Sequence, residues 1–237
     1  LIPMVTEEPS VIAAASNGAK TLGNISTEIK GKSVIGQIVL YEIEDLDFAM
    51  GQLERYSDII LEKAGEMCQS MIRRGGGPKK VWQESFRDGE HTFISLYLAI
   101  DTCDAMGANT INTILEGLSS YIEEITKSKF LMRIISNYAT ESIVKASCKL
   151  DIKKLDDKLD EARRIAKRIE LASTYANLDP YRAATHNKGI MNGIDAVVIA
   201  TGNDFRAIEA AAHSYASIDG MYQCLTTLKF DDKEDLL

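Results

Sequence analysis

Only four cysteines, four prolines, three histidines and one tryptophan occur in 237 residues. Cys68, Cys103, Cys148 and Cys224 stand far apart with no C-x-x-C pair. Neither a disulfide framework nor a zinc or other metal site is therefore expected, and reduced thiols in a cytoplasmic protein are the simpler reading. No stretch approaches the roughly 18 apolar residues that a membrane span requires. The opening Leu1-Ile2-Pro3-Met4 has no basic region and no cleavage site, so no signal peptide is read there. Positive charge is in deficit: 27 Lys plus Arg face 35 Asp plus Glu, a net charge of -8. That balance argues against a surface built to neutralise nucleic acid or anionic lipid. The G-x-G-x-x-G, P-loop, G-x-S-x-G and H-E-x-x-H signatures are missing too, which excludes the commonest dinucleotide, phosphate, serine-hydrolase and zincin patterns.

What remains is an ordinary globular composition, 45% hydrophobic and 26% charged. The length lets one large domain or two modest ones each bury a core. The chain has no initiator Met and stops in Asp231-Asp232-Lys233-Glu234-Asp235 without closing an obvious unit; a fragment lacking both termini is expected.

Pro9 suits a first helical turn, and Val11, Ile12, Ala15, Ala19 and Leu22 recur near a 3.6-residue period until Gly23-Asn24. From Ser33 the period changes. Residues 34–43 read as a strand, and a long helix follows through Ala49, Leu53, Tyr56, Ile60, Ala64, Met67 and Met71 to a stop at Gly75-Gly76-Gly77-Pro78. Two strands, 80–86 and 92–101, are joined by the turn Arg87-Asp88-Gly89-Glu90. A helix carrying Ile111, Ile114, Leu115, Leu118, Ile122 and Ile125 leads to a last strand at 130–136. The order is β-α-β-β-α-β, the ferredoxin-like pattern. Beyond it, 141–150 reads as strand, 152–178 as one long amphipathic helix broken by Asp179-Pro180, and 205–217 as a final helix. Residues 181–204, rich in Gly and Asn and nearly uncharged, read as a loop with a strand-length apolar run at 196–200. The fold class is therefore α+β: a helix-rich large domain (1–32 and 138–237) interrupted by an inserted ferredoxin-like small domain (33–137).

Within the stretch 181–204, Lys188 is the single lysine. It is either a solvated surface lysine or the charge that an oxyanion requires. Asp204 stands where a helix begins and is a favoured N-cap as well as a candidate acid. Arg182 has neighbouring carboxylates to pair with, and His186 and His213 lack a nameable partner. Asp104-Ala105-Met106-Gly107-Ala108-Asn109 lies between strand and helix: a tight turn, or a helix N-terminus whose free N–H groups hold a pyrophosphate. Glu7 and Glu8 precede Pro9-Ser10 at another helix start, where carboxylates suit the dipole or serve as a general acid.

Three segments together, Pro3 through Ser16, Asp104 through Thr113, and Asp179 through Asp204, closely resemble 3-hydroxy-3-methylglutaryl-CoA reductase in its soluble bacterial and archaeal class II form. They occur in the family's order, and the resemblance covers essentially the whole chain. It implies reduction of HMG-CoA to mevalonate and CoA with two NAD(P)H hydrides, through a hemithioacetal and mevaldehyde, in a mevalonate pathway run in the biosynthetic direction or its reverse. It implies an HMG-CoA-binding large domain, a small domain that binds the nicotinamide cofactor, and sites at the interface of a homodimer or higher oligomer. Carried over by motif, Lys188 stabilises the oxyanion. Asp204 stands beside it, and Glu8, more than Glu7, donates a proton to mevaldehyde. Ser10, Arg182, Thr185 and Asn192 match positions that hold the HMG group, the guanidinium being suited to a carboxylate. Asp104, Met106, Gly107 and Asn109 match the cofactor loop, and Asn137 a further cofactor contact.

Two departures stand out. The family's catalytic His belongs to a C-terminal segment not found here, and His91, His186 and His213 do not occupy its motif, so the chain as it stands is expected to be poorly active or inactive. Near Cys68, where a carboxylate would favour NADH, Arg73 and Arg74 tilt the choice toward NADPH. The alternative is a non-catalytic acyl-CoA-binding or ferredoxin-like assembly module. RNA binding by such a sheet is disfavoured by the acidic charge and by the lack of an RNP1-type aromatic motif.

Overall fold

A computed structural model describes residues 1–4 and 8–237. Its elements, in chain order, are α1 (Pro9–Leu22), β1 (Ser26–Ile29), β2 (Ser33–Tyr41), α2 (Leu46–Arg55), α3 (Ser57–Glu66), α4 (Gln69–Ile72), β3 (Gly77–Asp88), β4 (His91–Asp101), α5 (Ala108–Thr126), β5 (Lys129–Ser136), β6 (Val144–Ser147), a 3-10 turn at Ile152–Lys154, α6 (Leu159–Leu178), α7 (Pro180–Ala200) and α8 (Phe205–Tyr215). They divide into two compact units, residues 29–144 and residues 1–28 with 145–237. Among the described residues no helix is long and apolar enough to cross a membrane.

The 29–144 unit is built on one antiparallel sheet ordered β3-β4-β2-β5. Alternation sends Ile38 and Leu40 of β2, and Ile94, Leu96, Leu98 and Ile100 of β4, to one face, where all are 2% exposed or less. That face packs on Leu53 of α2, Ile60 of α3 and Ile111, Ile114, Leu115 and Leu118 of α5 to form the core. Gly36 lies on the same face because no side chain fits there: a Cβ would stand 2.9 Å from both Ile111 Cγ2 and Leu115 Cδ1. The β3–β4 hairpin closes through Gly89-Glu90 between the paired Asp88 and His91, with Gly89 at φ 53°.

The single long helix expected from Ala49 to Met71 is three pieces. Tyr56 (φ -99°, ψ 13°) and Cys68 (φ -131°, ψ 39°) leave helical geometry. Leu53, Ile60, Ala64 and Met71 nonetheless stay buried, so the breaks keep the apolar stripe on the sheet.

In the other unit, the strand expected over 141–150 is reduced to β6, paired with β1. The helix expected over 152–178 starts only at α6. Asp151 accepts from Lys153 N and Asp156 from Lys158 N, and these side-chain bonds favour a turn over helix. The largest difference is α7: the residues read as a loop form a 21-residue helix. Pro180 occupies its first turn, and Asp179 caps it by accepting from Tyr181 N at 3.1 Å. Gly189 and Gly193 each cost the helix about 1 kcal/mol relative to Ala. Burial of Ala183, Asn187 and Met191, four residues apart, offsets that cost.

An extended stretch near residues 223–230 is gripped by side chains rather than by a strand. Asn177 Oδ1 accepts from Cys224 N, Ser173 Oγ from Leu228 N and Glu170 Oε1 from Phe230 N, all from α6. Asn187 of α7, wholly buried, donates to Gln223 O and accepts from Leu225 N, both at 2.9 Å.

Candidate functional site

Because α7 is a helix, Arg182, Thr185, Lys188 and Asn192, stepping by three, three and four residues, project from one side of it. Arg182, Thr185 and Lys188 are exposed and Asn192 is half-buried; Lys188 is not without a partner. Gly189 and Gly193 border this side with open space at their missing Cβ positions. The opposite side holds Ala183, Asn187 and Met191 in the interior. His186 lies between the two, its Nε2 2.6 Å from Thr226 Oγ1. Burial, then the nearby Arg182 charge, holds this imidazole below its ordinary range.

Asp204 follows α7 across a short turn and caps α8, accepting from Arg206 N at 3.0 Å and Ala207 N at 3.3 Å, with Arg206 Nε 3.5 Å away. Its expected capping role is thus present. Glu8 is the N-cap residue of α1, exposed, and its side chain makes no capping bond. Ser10 sits exposed in the first turn of the same helix. Glu7 lies outside the described residues.

In the 29–144 unit the topology gathers the cofactor candidates. β4 and β5 both run antiparallel to β2, with Asp101 opposite Ser33 and Ser136 opposite Ile35. Their C-terminal ends therefore lie at the same end of the sheet, which brings the 102–107 turn and Asn137 to one edge. Gly77 pairs with Asp101, so the chain after Arg73 and Arg74 reaches the same end. Cys103 Sγ lies 3.7 Å from Arg74 O. The turn is held by Thr102, whose hydroxyl donates to Ala105 O at 2.7 Å, and by Asp101, which accepts from Cys103 N. Asp104, Met106 and Asn109 are exposed. Gly107 takes φ 82° and begins α5, and no side chain caps that helix. The first amides of α5 are left for an anion, which fits a pyrophosphate. Among the described residues no cluster of three or more His, Cys, Asp or Glu could hold a metal.

A contact that no sequence motif marks joins Asp195 of α7 to Glu209 of α8. Burial, then the hydrogen bond and charge of Glu209, push the Asp195 carboxyl up to about 6, while His213 pulls it down. Its signal was its place seven residues after Lys188, which is visible only once the stretch is read as helix.

The chain matches the family model described as hydroxymethylglutaryl-coenzyme A reductase over residues 1–236. It is 42% identical over 240 residues to 3-hydroxy-3-methylglutaryl-coenzyme A reductase of Archaeoglobus fulgidus, covering 100% of this chain and 54% of that protein. It spans about half the length of the curated relatives it matches. A solved 3-hydroxy-3-methylglutaryl-coenzyme A reductase from Streptococcus pneumoniae superposes with a TM-score of 0.93 at 44% identity, over 99% of this chain and 56% of that one. A structure of the class II enzyme of that organism bound to NADPH in open conformations gives the same score and identity, over 99% of this chain and 64% of that one.

Proposed function

Since this chain belongs to the hydroxymethylglutaryl-coenzyme A reductase family, we propose that it serves the four-electron reduction of HMG-CoA to mevalonate and CoA. Two nicotinamide hydrides are consumed, and a hemithioacetal and then mevaldehyde lie on the way. The observation that carries this reading is the side of α7 on which Arg182, Thr185, Lys188 and Asn192 project together.

Each residue has a role that its chemistry permits. Hydride arriving at the thioester carbon leaves negative charge on its oxygen, and the Lys188 ammonium stabilises that charge. Asp204, at the corner after α7, keeps the ammonium charged. Glu8, exposed at the start of α1, gives a proton to the mevaldehyde oxygen. Arg182 holds the free carboxylate of the HMG group bidentately, while Thr185, Asn192 and Ser10 hydrogen-bond its hydroxyl and carboxylate. Bare backbone at Gly189 and Gly193 lets a ligand lie close to the helix.

The nicotinamide cofactor supplies the hydride. The α5 amides and Gly107 would hold its pyrophosphate, with Asp104, Met106, Asn109 and Asn137 around the rest. NADPH is favoured over NADH: Arg73 and Arg74 approach the same sheet end, and the Streptococcus pneumoniae class II relative is described bound to NADPH. No metal takes part. A homodimer or higher oligomer with the site at the subunit interface agrees with α1, which buries none of its residues. Free thiols at all four cysteines suit the cytoplasm.

The test is NAD(P)H oxidation, followed by absorbance, with HMG-CoA and the whole protein. Lys188→Ala should lower the rate by about 10²–10³-fold without unfolding the chain. No oxidation with either nucleotide overturns the reductase reading, and a wild-type rate in Lys188→Ala removes that residue from the mechanism.

A further inference from the structure

Outside the expected site, the most unusual group of side chains straddles the corner between α7 and α8. Residues 201–204 alone join the two helices. The turn is tight: Thr201 N and Asn203 N donate back to Val197 O and Val198 O at 3.0 and 2.9 Å, and Gly202 takes φ 71°. Asp195 precedes this corner on α7 and Glu209 follows it on α8, and their side chains meet in hydrogen-bond contact. Asp195 Oδ1 is buried, and no N–H or O–H donor reaches it among the described residues. One helical turn beyond Glu209, His213 Nδ1 lies 2.7 Å from Tyr222 Oη, with the two rings stacked.

Two carboxyl groups in hydrogen-bond contact are stable only with a proton between them; both ionised, they repel. We propose that Asp195 and Glu209 share one proton, and that this carboxyl–carboxylate bond is a clamp that fixes the corner between α7 and α8. The pair thereby acts as positioning residues for Lys188, on the same side of α7, and for Asp204, at the head of α8. The positioning role rests on the reductase reading; the clamp itself does not.

Three observations converge on it. The orphaned Asp195 oxygen finds its partner once Glu209 or Asp195 carries a proton. The contact bridges two helices separated by so short a link that any change in their angle moves Asp204. The raised Asp195 carboxyl agrees with proton sharing. The ionisable groups acting on Asp195 are Glu209 and His213, both from α8, and Tyr222 joins through His213. The neighbouring α6 contributes none among the described residues. Positive charge on His213 favours the ionised Asp195 and so opposes the sharing.

Carbon-13 NMR titration of the side-chain carboxyls in the 237-residue chain tests the clamp directly. Asp195 should titrate near pH 6, and Glu209→Gln should lower that midpoint by about one unit or more, because the amide donates to an ionised Asp195. Should Glu209→Gln fail to fold, Asp195→Asn provides the reciprocal reading through Glu209. An Asp195 midpoint unmoved by Glu209→Gln, or both carboxyls titrating independently at ordinary values, overturns the clamp.

The positioning role is read in the whole protein with HMG-CoA and NADPH. Asp195→Ala should lower kcat about tenfold or more with KM little changed. Asp195→Asn, which restores the contact without the shared proton, should recover most of the rate and flatten the pH profile near pH 6. An undiminished kcat in Asp195→Ala overturns the role. A wild-type protein inactive throughout would count against the reductase reading, while the NMR titration would still decide the clamp.

Discussion

Replacing Gly107 by Ala puts two separate costs on the turn that begins α5. The backbone there has φ 82°, and a residue with a Cβ pays about 1–2 kcal/mol to adopt such a left-handed conformation. The added Cβ would also stand 2.3 Å from Thr102 Cγ2 and 2.8 Å from Thr102 Cβ. Thr102 is 3% exposed and its hydroxyl is committed to Ala105 O, so it cannot swing aside without losing that bond. Overpacking of this kind costs about 1–3 kcal/mol. The sum, about 2–5 kcal/mol, is a large share of the roughly 5–15 kcal/mol that separates folded from unfolded domains. Trp82, the single tryptophan, lies in β3 stacked on Tyr97 at 5.1 Å between centroids. Its fluorescence in a urea series therefore reports on the 29–144 unit alone. Adding Thr102→Ser removes the clashing methyl and should restore part of the loss, leaving the backbone cost and the 2.8 Å approach to the Cβ of residue 102 in place. An unfolding midpoint within error of wild type in Gly107→Ala would refute the reasoning. Full recovery in the double variant would show that only the clash mattered.

Three further outcomes follow from the packing. Gly36→Val should destabilise the same unit by about 1–3 kcal/mol, again read from Trp82, because the new side chain runs into Ile111 and Leu115. Asn187→Ala orphans Gln223 O and Leu225 N, both half-buried, at up to about 1–3 kcal/mol for each group left unpaired; faster amide hydrogen exchange at Leu225 would register it. His186 has a folded-state affinity for protons below the ordinary value of 6.5. Its contribution to stability is present above pH 6.5 and is lost as the pH falls through that value toward the folded one. Asp195 acts in the opposite sense: its raised carboxyl stabilises at low pH, and that contribution is lost as the pH rises through about 6. Thermal unfolding of His186→Gln and wild type should therefore be compared at each pH, and the variant should lose less stability on acidification. Equal losses would show that His186 is not held neutral by the fold.

The sheet unit was legible because its signals are local and repeated. Ile94, Leu96, Leu98 and Ile100 alternate without interruption, Gly89 marks the hairpin, and Gly75-Gly76-Gly77-Pro78 marks the entry to β3. The strand order then follows from a familiar pattern of elements. The helical breaks at Tyr56 and Cys68 were invisible because the apolar period runs straight through them, and periodicity records which face is buried rather than where the backbone steps. For α7 the failure was of another kind. Its buried side includes Asn187, a polar residue satisfied by a distant stretch of chain, and its exposed side includes two glycines, so composition pointed to a loop. Motif alone nominated Arg182, Thr185, Lys188 and Asn192; their common projection needed the helix. The Asp195–Glu209 contact needed more still, since it depends on the angle between two helices that no spacing encodes. A region that departs from local rules in three ways at once, with glycine inside a helix, buried amide and paired acids, is where function is expected to have set the sequence. Substituting Gly193 by Ala separates the two demands. With open space at its Cβ position, the chain should gain about 0.5–1 kcal/mol, and a loss of HMG-CoA binding beside that gain would show that the bare backbone is kept for the ligand. A variant both more stable and equally able to bind would show that the glycine serves neither.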